Sequence, residues 1–296
     1  MSMTRRMFLG STLAAGAATA AACGGARGPR GRAGSGAGQD VDSRFASLVG
    51  FCDGVPEVSD AERAAHRARA RELAIENGYN AVVMEAGVNL LHFTGLRWWP
   101  SERPLLYVIL PNGEDFYVGP AFEEGTLRDR GLGQAELRTW HEHEDPFDLV
   151  AGILADRGLR EGRIGIEETV RFFVADGVRA AAPRFGTVSA DPVTRGCRMF
   201  KSPTELALMQ VANDITLAAY RHTWMRVESG MSGADIAAIM TAATEALGGQ
   251  PKFASVLLNE SSAYPHGSGV PQVVKEGGVV LMDCGCAVHG YQSDIS

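Results

Sequence analysis

The stretch that most restricts the fold is residues 279–296, which have the composition of two β-strands joined by a turn. We place the turn at Val288 and His289, so that Asp283 stands directly opposite Asp294. Opposed residues of a hairpin project from the same side of the sheet, with Cβ atoms about 5 Å apart, and two carboxylates there repel unless a proton or cation separates them. The apolar run 279–282 implies a buried face, which raises that cost. We therefore interpret the pair as ligands of a hard divalent cation; the alternative is a solvated hairpin with two surface acids.

Three kinds of neighbouring side chain bear on this site. His266 lies in a turn-rich segment, where an imidazole could orient a substrate or move protons, or could simply be solvated. Cys284 and Cys286 alternate with Asp283 along the strand, so they face the other side of the sheet and are expected to be small buried side chains rather than metal ligands. His289 is expected at the surface.

The pattern upstream predicts two domains. Alternating strand and helix signals over residues 45–195 indicate an α/β domain, with strands predicted at 81–84, 90–94 and 105–110. Ser202-Pro203-Thr204-Glu205 combines a helix cap, a proline at the first helical position and a capping-box glutamate, which predicts a long helix from there. A second helix follows Ser232, and strand-like runs begin at Phe253, so the second domain is expected to be α+β. We place the domains at 45–198 and 199–296.

The N-terminus has the features of an export signal. Arg5 and Arg6 precede an Ala-rich, weakly apolar run without charge before Arg27, which resembles a twin-arginine signal peptide over residues 1–22; a solvated basic tail is the alternative. Cys23 follows three alanines and is a candidate lipid anchor, and residues 23–44 read as a flexible Gly/Ala/Arg linker. The expected location is therefore extracytoplasmic, periplasmic or membrane-anchored. The chain has 28 basic and 35 acidic residues, with five arginines and no acid among the first 39, so its acidic body excludes nucleic acid as a partner.

The motif order resembles the creatinase/prolidase family of metallopeptidases, which includes Xaa-Pro dipeptidase and aminopeptidase P. The two aspartates separated by ten residues are similar to its paired metal ligands, and Pro265-His266-Gly267 is similar to its substrate-side histidine motif. Residues 200–205 resemble the start of its catalytic domain. The resemblance implies an α/β N-terminal creatinase-like domain followed by a pita-bread catalytic domain of the α+β class.

The resemblance also implies a chemistry. Two divalent metal ions, of manganese, cobalt or zinc, would share an activated water that attacks a peptide carbonyl. Asp294 would bridge the metals, Asp283 would bind one, and His266 would hydrogen-bond the substrate or the tetrahedral intermediate. The complete enzyme would act on peptides as a homodimer.

The family's remaining ligands, one histidine and two glutamates, lie beyond the second aspartate, whereas the sequence reaches only Ser296. We therefore expect an incomplete catalytic domain, inactive by itself. A creatinase-like hydrolase that works without metal and a non-catalytic binding module on the same fold remain alternatives.

Export through the twin-arginine pathway should require both arginines. Replacing Arg5 and Arg6 by lysines is expected to leave precursor in the cytoplasm, which fractionation and immunoblotting would detect. Undiminished export of the double variant would contradict the assignment.

Overall fold

The computed structural model describes residues 48, 51, 52 and 54–296, and all structural statements concern this part. Every described residue lies within one compact unit, Val41–Ser296. The predicted signal peptide, Cys23 and the linker at 23–44 lie outside the described residues. Within the described part, no helix has the length and apolar character that a membrane-spanning segment requires.

The first part of the described chain, here called the N-terminal lobe, is a six-stranded sheet with helices on both faces, as the α/β prediction requires. The strand order is β4-β3-β2-β1-β5-β6, in which β1 is antiparallel to β2 and parallel to β5. The elements are α1 (Asp60–Glu76), β1 (Ala81–Glu85), α2 (Val88–Thr94), β2 (Leu106–Ile109), β3 (Phe116–Pro120), α3 (Glu124–Leu127), β4 (Leu137–Trp140), α4 (Pro146–Asp156), β5 (Gly162–Ile166), α5 (Phe172–Ala181), β6 (Phe185–Ser189) and α6 (Asp191–Arg198).

The central strand β1 is buried on both faces, because helices cover both sides of the sheet. Successive side chains of a strand point in opposite directions, so they enter two different cores. Val82 and Met84 enter the core formed with α1, α2 and α6, whereas Ala81 and Val83 enter the core formed with α4 and α5. Such a strand reads as an unbroken apolar run in the sequence, which is why it could be predicted.

The predicted strand at 90–94 is wrong, because this segment is the end of helix α2. Gly87 precedes the helix, and Gly95 closes it in the left-handed region with its N–H bonded to the Leu91 carbonyl. A short apolar run fits a strand and a buried helical turn equally well, and the flanking glycines decide between them. As part of this helix, His92 is buried inside the protein.

The second part, here called the C-terminal lobe, packs two helices on one face of a small sheet of order β7-β8-β9. Its elements are α7 (Pro203–Trp224), α8 (Gly233–Ala246), β7 (Gln250–Leu258), β8 (Val280–Val288) and β9 (Tyr291–Gln292). Both predicted helix starts are confirmed, since Ser202 and Ser232 each form a capping box. Cys284 and Cys286 are buried in the core between sheet and helices, as predicted.

The β8–β9 hairpin turns one residue later than predicted, so Asp283 and Asp294 do not stand directly opposite one another. Ala287 pairs with Gln292 and Cys284 with Ile295, which moves Asp294 opposite Gly285. The turn residues are His289 and Gly290, both with positive φ, at 49° and 94°. A type I′ turn requires positive φ at both central positions, which glycine adopts freely and β-branched Val288 resists.

The turn also contacts helix α2, and this contact can be tested. A Cβ on Gly290 would lie 2.5 Å from Leu91 Cδ2, whereas a Cβ on Gly113, which also has positive φ (90°), meets nothing closer than 3.8 Å. Both Gly→Ala variants should lose about 1 kcal/mol from backbone strain. Gly290→Ala should lose measurably more in urea unfolding; equal losses would show that Leu91 moves aside without cost.

Candidate functional site

Asp283 and Asp294 lie on the outer face of the C-terminal sheet, which is the face turned away from α7 and α8. Cys284 points into the core, so its neighbour Asp283 points to the outer face. Ile295 pairs with Cys284, so Asp294, the residue before Ile295, also points to the outer face. The two carboxylates are therefore diagonal neighbours on one face. Asp283 is half-buried and accepts a hydrogen bond from Ser296 Oγ at 3.1 Å, while Asp294 is exposed. The predicted common face is therefore present, and the predicted direct opposition is not.

Two carboxylates on one face fit part of the ligand set of a hard divalent cation. In the part of the chain that the structure describes, no third histidine, cysteine or acidic side chain joins them, since the group of three that could hold an ion lies elsewhere. Asp283 and Asp294 thus fit as two ligands of a larger set. Their role in metal binding stays a prediction.

His266 is exposed in the turn that follows the 3₁₀ segment Asn259–Ala263. Gly267, with φ 76°, donates its N–H to the Tyr264 carbonyl and so closes this turn. Among the described residues, the imidazole has no hydrogen bond with either aspartate. The structure therefore leaves His266 accessible to a substrate without joining it to the pair. His289, expected at the surface, is partly buried and pairs with Glu57, with Nδ1 and Oε1 3.0 Å apart.

A second group of polar side chains, here called the His–Glu cluster, consists of His66 on α1, His92 on α2 and Glu205 on α7. The two imidazole rings stack in parallel, with centroids 4.0 Å apart and an interplanar angle of 8°. His92 Nδ1 lies 3.4 Å from Glu205 Oε1, and His66 Nδ1 lies 3.3 Å from the His92 carbonyl oxygen. Burial is the main cause that lowers the pKa of His92, which keeps its ring neutral near pH 7.

Glu205 holds this cluster in place through hydrogen bonds from two directions. Its carboxylate accepts the Ser202 N–H at 2.7 Å and the Tyr291 hydroxyl at 2.8 Å. Burial by itself raises the pKa of Glu205, but the hydrogen bonds from His92, Ser202 and Tyr291 outweigh it and bring the pKa to about 2. The side chain is therefore a buried anion whose charge is balanced by donors from both lobes.

A cavity of about 240 Å³ opens beside the His–Glu cluster, between α2, the start of α7 and the hairpin turn. His92, Glu205 and Tyr291 line one side, and Arg198 and Lys201 line another. The sequence pattern does not point to this region, because it predicts Glu205 only as a helix-capping residue and His92 only as part of a strand. The glycines at 87 and 95 are the signal that could have identified α2 as a helix.

Comparison with known proteins gives a consistent picture. Residues 66–200 match the family model described as the Creatinase/Prolidase N-terminal domain, and residues 207–296 match that of Metallopeptidase family M24. An uncharacterized peptidase of Schizosaccharomyces pombe is 31% identical over 236 residues, covering 74% of this chain and 50% of the relative. A Xaa-Pro dipeptidase of Pyrococcus furiosus is 23% identical over 224 residues, covering 75% and 60%.

Solved structures share the fold. Dipeptidase PepE from Mycobacterium ulcerans superposes with a TM-score of 0.74 at 23% identity, covering 81% of this chain and 64% of that one. A recombinant prolidase from Thermococcus sibiricus gives 0.70 at 20% identity, covering 80% and 64%. The chain thus spans between half and two thirds of the length of these proteins, and it shares their creatinase-like N-terminal domain and part of their pita-bread domain.

The hydrogen bond from Tyr291 to Glu205 should have a pH-dependent effect on stability. Tyr291→Phe is expected to lower the free energy of unfolding by about 2 kcal/mol at pH 7, because it removes a donor to a buried anion. The folded-state pKa of Glu205 lies below the ordinary value of 4.5, so the stabilisation is full above that pH and is lost as pH falls toward 2.

The measurement is urea unfolding of wild type and variant at several pH values. Tyr264→Phe, which alters an exposed tyrosine, is the matched control and should be near neutral throughout. A deficit in Tyr291→Phe that stays constant from pH 6 to the acid limit would contradict the assignment of charge to Glu205.

Proposed function

We propose that this chain, which carries a creatinase-like N-terminal domain and a domain of metallopeptidase family M24, belongs to an enzyme that hydrolyses Xaa-Pro peptide bonds. The observation that carries the proposal is the placement of Asp283 and Asp294 on one face of a single hairpin, within the segment that matches M24. Relatives named as dipeptidase and prolidase support the substrate class.

In this proposal the two aspartates bind divalent metal ions of manganese, cobalt or zinc. Such ions, when bound, lower the pKa of a water molecule and stabilise the oxyanion of the tetrahedral intermediate. Asp283 and Asp294 would hold these ions, Asp294 as a ligand shared by both and Asp283 as a ligand of one. His266, exposed and free of internal hydrogen bonds with the pair, is the group that contacts the substrate or the intermediate.

The described residues supply two of the ligands that a dinuclear site needs. We therefore propose that the 296-residue chain has no peptidase activity by itself, and that the active enzyme is a homodimer containing further ligands. We also propose that it is exported by the twin-arginine pathway, with Cys23 as the candidate site of lipid attachment. Mass spectrometry of the mature N-terminus would identify the lipid.

The proposed chemistry predicts separable effects of ligand and substrate-side variants. In the complete gene product, Asp294→Asn should abolish dinuclear metal loading, whereas Cys284→Ser, on the opposite face, should retain it. His266→Ala should lower kcat on an Xaa-Pro dipeptide about 100-fold or more with metal content unchanged, since it removes a positioned proton-transfer or oxyanion partner.

Ser268→Ala, two residues after His266, is the matched control and should retain activity. Metal content is read by elemental analysis and turnover by proline release. About two metal ions per chain in Asp294→Asn would refute the ligand assignment, and metal-dependent Xaa-Pro cleavage by the purified 296-residue chain would refute its proposed inactivity.

A further inference from the structure

A second cavity, here called the tryptophan pocket, lies between the lobes beside the β8–β9 turn and has a volume of about 120 Å³. Trp98 and Trp99, in the loop that joins α2 to β2, line it from the N-terminal lobe. Lys252 lines it from β7, with its Nζ 5.3 Å from the centre of the Trp99 ring. Val88 and Trp99 are 53% and 73% exposed, so an apolar patch stays open to solvent here.

The polar groups of the tryptophan pocket favour an anion. Arg97 and Lys252 both line it, and neither has an ion pair with any residue that the structure describes. Gln250 and Gln292 add side-chain amides, and no acidic side chain is among the described residues around the pocket. Two unpaired cations beside amide donors are suited to a carboxylate, which accepts charge-assisted hydrogen bonds from such groups.

The tryptophan pocket adjoins the face of the sheet that carries the two aspartates. Gln250 and Gln292 both pair with Ala287, which points to the outer face because its neighbour Cys286 points into the core. Gln292 precedes Asp294 by two residues, so the two side chains share that face with Cα atoms about 7 Å apart. An extended peptide of two residues spans about the same distance.

We propose that the tryptophan pocket binds the substrate residue that follows the scissile bond, with its free carboxylate at Lys252 and Arg97 and its ring against Trp99. This inference rests on the proposed function and specifies its substrates as dipeptides that end in proline. Aromatic side chains line the grooves in which proteins recognise proline. The volume suits a single residue, because pockets for larger ligands measure about 300 Å³ or more.

The same contacts select for substrate length. In a longer peptide the residue after the scissile bond continues into a neutral amide, which cannot form an ion pair with Lys252. A hydrogen bond that involves a charged group contributes enough free energy to change binding about tenfold or more. The charge at this position therefore distinguishes a dipeptide from a longer substrate.

The test compares two substrates of the complete gene product, glycyl-proline and its C-terminal amide, with release of glycine as the readout. Wild type should have a kcat/KM about tenfold higher or more for glycyl-proline than for the amide. Lys252→Met should reduce this preference to about threefold or less, because it removes the cation that the carboxylate contacts. Lys252→Arg, which restores a positive charge, should recover most of the preference.

Lys275→Met is the matched control, since it makes the same change at an exposed lysine that lies 3.5 Å from Glu260. It should keep the preference for glycyl-proline, and circular dichroism checks that each variant is folded. Equal kcat/KM for the two substrates in the wild type overturns the proposal. A preference that Lys252→Met leaves intact also overturns it.

Binding to the 296-residue chain gives a readout that does not depend on hydrolysis. The chain has four tryptophans, and the NMR signal of the Trp99 indole N–H can be assigned with Trp99→Phe. This signal should shift on addition of millimolar N-acetylproline, and N-acetylprolinamide should bind at least about fivefold more weakly. The signal of Trp224, which is 64% exposed and lies outside the pocket, should not move.

The two readouts separate a failure of the tryptophan pocket from a failure of the proposed function. Hydrolysis of both substrates with an unmoved Trp99 signal would leave the peptidase assignment in place and overturn the pocket. If the complete gene product cleaves neither substrate while the Trp99 signal responds to N-acetylproline, the proposed function fails and the role of the pocket in substrate selection fails with it. An equal response to N-acetylproline and to its amide excludes recognition of the carboxylate.

Discussion

The buried carboxylate of Glu205 is the constraint around which the two lobes are arranged. A buried anion is tolerated only when donors surround it, and here the donors come from the start of α7, from the hairpin through Tyr291 and from α2 through His92. The Ser202 hydroxyl also donates to the carboxylate of Glu62, with Oγ and Oε1 3.2 Å apart. Glu62 is the capping-box residue of α1. The first turns of two helices are therefore fixed against each other, and displacing either lobe would leave a charge without partners.

Capping motifs were the most reliable guide from sequence to structure in this chain. Ser202 and Ser232 each begin a helix as their local sequence indicates, because a cap is satisfied by atoms within four residues. The hairpin register was harder to predict, since it depends on which two residues take positive φ. Gly290 with His289 meets that need better than Val288, and this backbone preference outweighs the symmetry suggested by the two aspartates.

The candidate site was predictable only in part for the same reason. A common face for Asp283 and Asp294 follows from the two-residue period of a strand. Moving the turn by one residue shifts each pairing partner by two positions, and such a shift leaves every side chain on the same face. The His–Glu cluster has no such local signature, because His66, His92 and Glu205 are far apart in the sequence and meet only through packing of α1, α2 and α7. Contacts between residues of different lobes can be seen only in the tertiary structure, whereas contacts within one hairpin can be predicted from the spacing of residues in the sequence.

The contact between Leu91 and the hairpin turn has a consequence for how this sequence can diverge. The absent side chain at position 290 provides the room that the leucine occupies, so volume at one position limits volume at the other. A larger residue at position 290 would require Leu91 to move or to be replaced by a smaller side chain, so a change in the turn is coupled to a helix of the other lobe. The two sites are thus a coupled pair in sequence space, although nearly two hundred residues separate them along the chain.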